Sequence, residues 1–311
     1  MLGVLSGFFV VWAIIGTGWL VARKQLLGEG AQTVLSRLSF FVASPALLLD
    51  TLSNADLRTV FSSHLLVITV SSALVGIVSF GAFRFIRRRQ LPEALVASMS
   101  SSIANSGNLG IPISVFVLGN ASYVAPLLIF QLALLTPSYL LILDGTTSTA
   151  KPGAARALQF VLPVVTNPNI VGSAIGLVLA GTGWKLPDLI MQPIHLIGGA
   201  AIPAILMAFG ISLHGSRPLR ADDGRRLDTM LASGLKLVVH PLIAFAFARF
   251  GLGMGGHALF AAVVTTGLPT AQNVYVAAQR YQHGLVVAKD TVLITTVLAV
   301  PAMAIMAGLL S

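Results

Sequence analysis

Asn105-Ser106-Gly107-Asn108-Leu109-Gly110-Ile111-Pro112 lies in the middle of an apolar segment, Ala94 to Leu118, long enough to span a bilayer. Its residues nevertheless break helices. Gly107 and Gly110 admit dihedrals that other residues avoid, and Pro112 supplies no amide hydrogen and crowds the preceding turn. Hydrocarbon cannot satisfy freed backbone groups, so such a break survives only where protein or a water-filled cavity surrounds it. A second stretch, Gly267-Leu268-Pro269-Thr270-Ala271-Gln272-Asn273, interrupts the apolar segment His257 to Gln282 in the same way. Two interrupted spans at matching positions in two halves point to the binding site of a transporter.

The surrounding chain has the composition this requires. Of 311 residues 56% are hydrophobic and only 9% charged, and the mean hydropathy is +0.89. A soluble domain carries roughly 25% charged residues, so a water-facing surface is hard to assemble here and a polytopic helical membrane protein is the natural class. With no cysteine there is neither a disulfide nor a thiolate metal site. The net charge of +9 sits in short loops between apolar spans, which fits lipid and membrane orientation rather than nucleic acid.

Windows of ~20 apolar residues predict ten spans. Leu2–Val21, Val34–Leu52, His64–Phe83, the interrupted fourth and Tyr123–Leu143 form the first half. Arg23 and Lys24 follow the first span and no basic residue precedes it, the wrong flank for a cleaved signal peptide. Asn169–Gly183, Ile190–Leu213, Met230–Ala248, the interrupted ninth and Thr291–Leu310 form the second half. The expected division is 1–144, a polar connecting loop 145–166, and 167–311. Pro45-Ala46-Leu47-Leu48 is echoed by Pro203-Ala204-Ile205-Leu206, 158 positions on, and Pro112 and Pro269 are 157 apart. Such offsets argue for an internal repeat. Five spans per repeat turn the second copy upside down, so the reading is an all-α membrane protein of two inverted five-helix repeats, with helices 4 and 9 broken and crossing at their prolines. Fifteen of the nineteen lysines and arginines then fall on one side, Arg84, Arg87–Arg89, Arg225 and Arg226 among them. Three fall on the other side and Lys236 lies within a span. The positive-inside rule puts both termini on the non-cytoplasmic face of the cell (inner) membrane.

The breaks carry the chemistry. Proline is favoured at the first position of a helix, so Pro112 and Pro269 are expected to start two half-helices whose N-termini converge near the midplane. Each N-terminus offers unpaired amides and partial positive charge, a ready anion site. Asn105, Ser106, Asn108, Thr270, Gln272 and Asn273 add neutral polar groups, while the opposite half-helix ends offer carbonyls to a cation. The plainer alternative is a pair of proline kinks with asparagines bonding neighbouring helices. Ionisable residues within spans are few. Lys236 and His240, four apart on one helical face, are the coupling candidates, since histidine titrates near neutrality. A snorkelling Lys236 and a His240 bound to a carbonyl are the structural alternative. Neither a His-Glu-x-x-His helix nor a Gly-x-Ser-x-Gly elbow is present, so no enzyme, cofactor or metal is expected.

At these residues the chain resembles a known family. Asn105 to Pro112 matches the Asn-x-Gly-x-x-Gly-x-Pro motif of the auxin efflux carriers, and Leu268-Pro269-Thr270-Ala271-Gln272-Asn273 through Tyr281 resembles that family's ninth-span signature. The likeness covers essentially the whole chain. It implies a scaffold of helices 1, 2, 6 and 7, usually dimeric, and a moving transport domain of helices 3–5 and 8–10. Small organic anions such as malate, malonate or auxin-like acids are the implied substrates. The absence of a long hydrophilic middle loop makes the bacterial branch the more similar one. Thr270 and Gln272 stand where small apolar residues are commoner, which makes this site more polar. The expectation is an elevator-type secondary carrier of small carboxylates, Asn105, Gly107, Gly110, Asn273 and the half-helix ends holding the anion, with proton or sodium coupling. A cation antiporter or symporter of the bile-acid-carrier type is the alternative, and an intramembrane enzyme a more distant one.

Overall fold

The computed structural model describes residues 2–54, 63–147, 166–214 and 224–310, and these are helical apart from short connections. The helices are α1 (Leu2–Arg23), α2 (Ala31–Ser53), α3 (Ser63–Ile86), α4 (Leu91–Ser102), α5 (residues 106–116), α6 (Ala121–Thr146), α7 (Pro168–Thr182), α8 (Asp188–Leu213), α9 (Arg226–Gly251), α10 (Gly256–Thr266), α11 (Gln272–Tyr281) and α12 (Leu285–Leu310). Five of them, α2, α3, α6, α8 and α9, are long and apolar enough to cross a membrane. The two arms of α12, bent by 46°, make a sixth span if taken together. No strand occurs among the described residues. Most of the connecting loop 145–166, with Lys151 and Arg156, lies outside them, as do Arg58, Arg217 and Arg220.

Local chemistry sets the ends. Asn167 caps α7 by accepting from the amides of Asn169 and Ile170, Pro168 follows at the first position, and Gly183 closes the helix in the left-handed region at φ 68°. Helix α12 begins six residues before the expected Thr291. Lys289 and Asp290 stop an apolar window there, but they do not stop a helix.

The chain divides into two compact units. Unit 1 comprises residues 1–62, 106–128 and 163–216; unit 2 comprises 63–105, 129–162 and 217–311. In unit 1, α1 packs on α8 and α7 packs on α2 with the backbones in contact. A Cβ on Gly18 would strike the carbonyl oxygen of Met207, and one on Gly210 that of Ile15. On the other pair, a Cβ on Gly172 would strike the carbonyl of Pro45, and one on Gly176 would lie 2.8 Å from that of Leu49. Lipid offers no hydrophobic drive for helix association, and small residues at the seam allow the close approach that replaces it.

Unit 2 is held differently. Leu95, Met99, Ile103, Tyr139, Val274 and Ala278 form one buried cluster, and Val75, Phe83, Ala97, Ala232, Leu235 and Val287 another. Hydroxyls run between them. Ser98 donates to the Gly76 carbonyl at 2.7 Å and meets the Tyr139 hydroxyl at 2.7 Å, which Ser102 also meets at 3.0 Å. At one end Asp228 is buried between Arg87 Nε at 2.8 Å and Arg89 Nε at 2.7 Å, while Arg225 reaches Glu93 at 2.6 Å. An acidic residue in the first turn of α9 also suits the helix dipole.

Candidate functional site

Helix α4 ends at Ser102, after a last turn that carries three successive serines. Ser100, Ser101 and Ser102 each bond a carbonyl four residues back, at 2.9, 3.1 and 2.9 Å, and Ile103 leaves the helix with extended dihedrals, φ −88° and ψ 118°. Ile103–Asn105 then runs antiparallel to Pro269–Ala271. The Asn105 amide donates to the Pro269 carbonyl at 2.7 Å, the Ala271 amide donates to the Ile103 carbonyl at 3.1 Å, and Ala104 faces Thr270. The crossing of the two broken segments is thus a minimal β-bridge.

A backbone group that the bridge leaves over would be costly in an apolar interior, and side chains from other helices take three of them. The Gln131 amide of α6 accepts from the Ala104 N–H and donates to the Ala104 carbonyl at 3.0 Å, as a neighbouring strand would. Thr295 of α12 accepts from the Thr270 amide at 3.0 Å, and the Thr270 hydroxyl donates to the Ser100 carbonyl at 2.6 Å. Gln131 and Thr295 were not singled out from the sequence. A lone glutamine within the otherwise apolar run Ala125–Leu135 is the available signal.

The structure corrects the expectation for the prolines. Pro269 lies inside the crossing, its carbonyl accepting from the Asn105 amide, and α11 starts three residues later at Gln272. Pro112 lies well past its break: the chain is already helical from Ser106, wound as a π-turn over Ser106–Gly110 before the α-helical Ile111–Phe116. Proline removes a helical donor and crowds the turn before it, and the widened turn accommodates this. The half-helices therefore begin at Ser106 and Gln272, not at the two prolines.

Of the predicted binding residues, Asn105, Pro269, Thr270, Gln272 and Asn273 come together in unit 2. Asn105, Pro269 and Thr270 are buried, while Gln272 and Asn273 are exposed on the first turn of α11. No side chain caps that helix: its N-cap is Ala271. Its first amides carry the partial positive charge of an uncapped N-terminus. Ser106, Gly107, Asn108, Gly110 and Pro112 belong to unit 1, with Ser106, Gly110 and Pro112 buried and Gly107 and Asn108 half-buried.

Lys236 and His240 are both fully buried in α9. Lys236 Nζ lies 2.9 Å from His240 Nδ1 and donates to the Thr266 carbonyl at 3.1 Å. An ammonium has no acceptor. With Lys236 charged, His240 therefore accepts at Nδ1 and offers Nε2–H to Ser72, at 3.3 Å, and Ser71, at 3.5 Å. Thr266 is the last residue of α10, where the helix dipole is negative. The cation seat at the end of this half-helix is thus filled by the protein's own lysine. A second buried histidine, His64 of α3, meets the Thr265 hydroxyl at 3.4 Å. Among the described residues no cluster of three or more His, Asp or Glu could hold a metal ion.

Comparison with known proteins agrees in kind. A family model described as membrane transport protein matches residues 4–307. A protein of Rhizobium meliloti named "Putative malonate transporter" is 28% identical over 305 residues, covering 96% of this chain and 92% of that one. An uncharacterized transporter of Methanothermobacter thermautotrophicus is 26% identical, covering 84% of this chain and 83% of its own. One from Methanocaldococcus jannaschii is 22% identical, covering 92% of each.

Proposed function

The chain belongs to the membrane transport protein family, the auxin efflux carriers of the sequence resemblance, and from that premise we propose that it is a secondary carrier of small organic anions. It is a multi-pass membrane transporter rather than an enzyme. Carboxylates of the malonate and malate type are the proposed substrates, in keeping with the name of the Rhizobium relative.

The observation that carries the reading is the contrast at the crossing. Backbone groups of Ala104, Asn105, Thr270 and Ala271 are bonded within the protein, so the break is stable without ligand. The first turn of α11 is uncapped and presents Gln272 and Asn273 to the outside. Carboxamide N–H groups and a helix N-terminus are hydrogen-bond donors of the kind that suits a carboxylate. Asn105, in the same unit, is proposed as the second donor. A cation site at the same place is disfavoured because Lys236 already occupies the α10 carbonyl end.

The finer architecture is part of the proposal. Ten spans in two inverted repeats are supported by the glycine seams: Gly18 meets Met207 and Gly176 meets Leu49, each residue 158 positions from its counterpart, the offset of Pro45 from Pro203. Unit 1 holds all the described residues of helices 1, 2, 6 and 7, the proposed dimeric scaffold. Unit 2 holds most of helices 3–5 and 8–10, the proposed moving domain, with 106–128 grouped in unit 1. Transport then proceeds by elevator-type alternating access in the cell (inner) membrane, both termini non-cytoplasmic, with protons coupled through Lys236 and His240. A thermal-shift series on purified protein tests the substrate class. Malonate and malate are expected to raise the melting temperature with concentration, since a ligand of the folded state stabilises it, and the corresponding diamides are expected not to. Equal shifts from both, or none from any carboxylate, contradicts the proposal.

A further inference from the structure

Most buried hydroxyls in unit 2 are spent on their own helix. Ser100, Ser101, Ser102, Thr265, Thr266, Thr295 and Thr296 all donate to carbonyls three or four residues back, the usual way a helix absorbs serine and threonine. Thr229, Ser233 and Thr291 depart from that habit. Their hydroxyl oxygens are buried and have no partner among the described residues. Each such group costs free energy unless water satisfies it.

The three fall together. Helices α9 and α12 pack side by side, and Val287 shares a buried cluster with Ala232 and Leu235, which fixes their register. Both helices start at one cavity of about 290 Å³, lined by Arg89, Glu93, Arg225 and Asp228 together with Gly284–Val287, so they run in the same direction from it. One turn in from Val287 lies Thr291. On α9, residues 229, 233, 236 and 240 are spaced four, three and four apart and share a face. The sequence of polar groups leads from the charged cavity past Thr229, Thr291 and Ser233 to Lys236, a rise of ~10 Å from Thr229. Beyond Thr291, Thr295 already bonds the crossing.

We infer that Thr229, Ser233 and Thr291 line a file of buried water joining the Arg225–Asp228 cavity to Lys236, and that protons reach Lys236 by this route. The inference deepens the coupling reading and rests on it for the protons, though not for the water. The charged and titratable groups on the elements around Lys236 are Arg226, Asp228, His240 and Arg249 on α9, His64 and Arg84 on α3, with Arg87 just after it, Glu93 on α4, His257 on α10, and Lys289 and Asp290 on α12. Asp228 and Glu93 at the cavity are held in ion pairs, while the hydroxyls carry no charge, so the file hands protons on by hydrogen bonding alone.

The chain has no cysteine, so a single introduced thiol reports its own surroundings. Ser233→Cys, Thr291→Cys and the neighbouring Ala232→Cys, which faces the apolar cluster, are placed in membranes and treated with a small charged thiosulfonate from the side carrying Arg87–Arg89. Only a hydrated thiolate reacts, so the first two are expected to label at least about tenfold faster than the third. Equal, negligible labelling of all three means a dry interface and overturns the water file. Thr229→Cys replaces any variant that fails to fold. The proton role is read from Thr229→Val/Thr291→Val, expected to flatten the pH dependence of uptake while the carboxylate thermal shift persists. An unchanged pH dependence overturns the route. A wild type whose uptake ignores pH sinks proton coupling and with it the proton role, whereas labelling still decides the water; loss of the carboxylate shift in wild type sinks only the substrate assignment.

Discussion

The two units hold apolar helices together by opposite means. In unit 1 the seams are glycine against backbone: Gly18 on Met207, Gly210 on Ile15, Gly172 on Pro45. In unit 2 the seams are laced by side-chain hydrogen bonds, from the Ser98–Tyr139–Ser102 cluster through Gln131 and Thr295 to Lys236 and His240. Contact of the first kind is dense, apolar and intolerant of any added atom. Polar contact of the second kind is directional and can be re-made with a ligand or with water. The difference is the one that the proposed division into a fixed scaffold and a moving domain calls for.

The sharpest way to break that comparison is to add one methyl group in unit 1. Gly16 and Gly18 sit two residues apart on α1, and a Cβ on Gly16 meets nothing within 4 Å. Gly16→Ala is expected to be neutral or to stabilise by up to ~1 kcal/mol through helix propensity. Gly18→Ala is expected to cost about 3 kcal/mol or to prevent folding, because the obstacle is backbone rather than a movable side chain. Thermal unfolding in detergent separates them, and equal melting points would refute the glycine seam.

The next largest effect belongs to Gln131. Gln131→Leu leaves the Ala104 amide and carbonyl without their side-chain partner at the crossing, a loss of ~1–3 kcal/mol in all. Gln131→Glu keeps the acceptor and is expected to lose about half as much. A Leu variant as stable as wild type would show that the crossing needs no help from α6. His240→Gln is expected to change stability less but to flatten the pH response of uptake, with carboxylate binding retained. A profile that keeps its shape assigns His240 to packing. Smallest is Ser98→Ala, about 1 kcal/mol, because Ser102 still holds the Tyr139 hydroxyl; a larger loss would mean the cluster acts as one unit.

The helical class is legible from hydropathy, as are the five or six spans that the structure makes long and apolar enough to cross a membrane, and the Lys236–His240 contact is legible from a four-residue spacing. The prolines mislead. Pro112 and Pro269 are 157 apart, close to the offset of Pro45 and Pro203, yet the half-helices begin at Ser106 and Gln272, 166 apart. Proline marks where a helical donor is missing, and that tolerates several positions around a break. Gln131 and Thr295 escape notice because each acts on a backbone amide, which leaves no mark in the sequence of its partner. The Thr266 carbonyl that receives Lys236 is hidden for the same reason.

The central claim is that the exposed first turn of α11 receives a carboxylate. Malonate affinity of wild type, Asn273→Ala and Asn273→Asp in detergent tests it most directly. Alanine removes one donor and is expected to weaken binding by ~1–3 kcal/mol, roughly fivefold to a hundredfold. Aspartate keeps the shape but sets a negative charge against the ligand, and is expected to abolish binding. All three should melt alike without ligand, since Asn273 is exposed. Binding by the aspartate variant as tight as wild type, or tighter, would contradict the anion site.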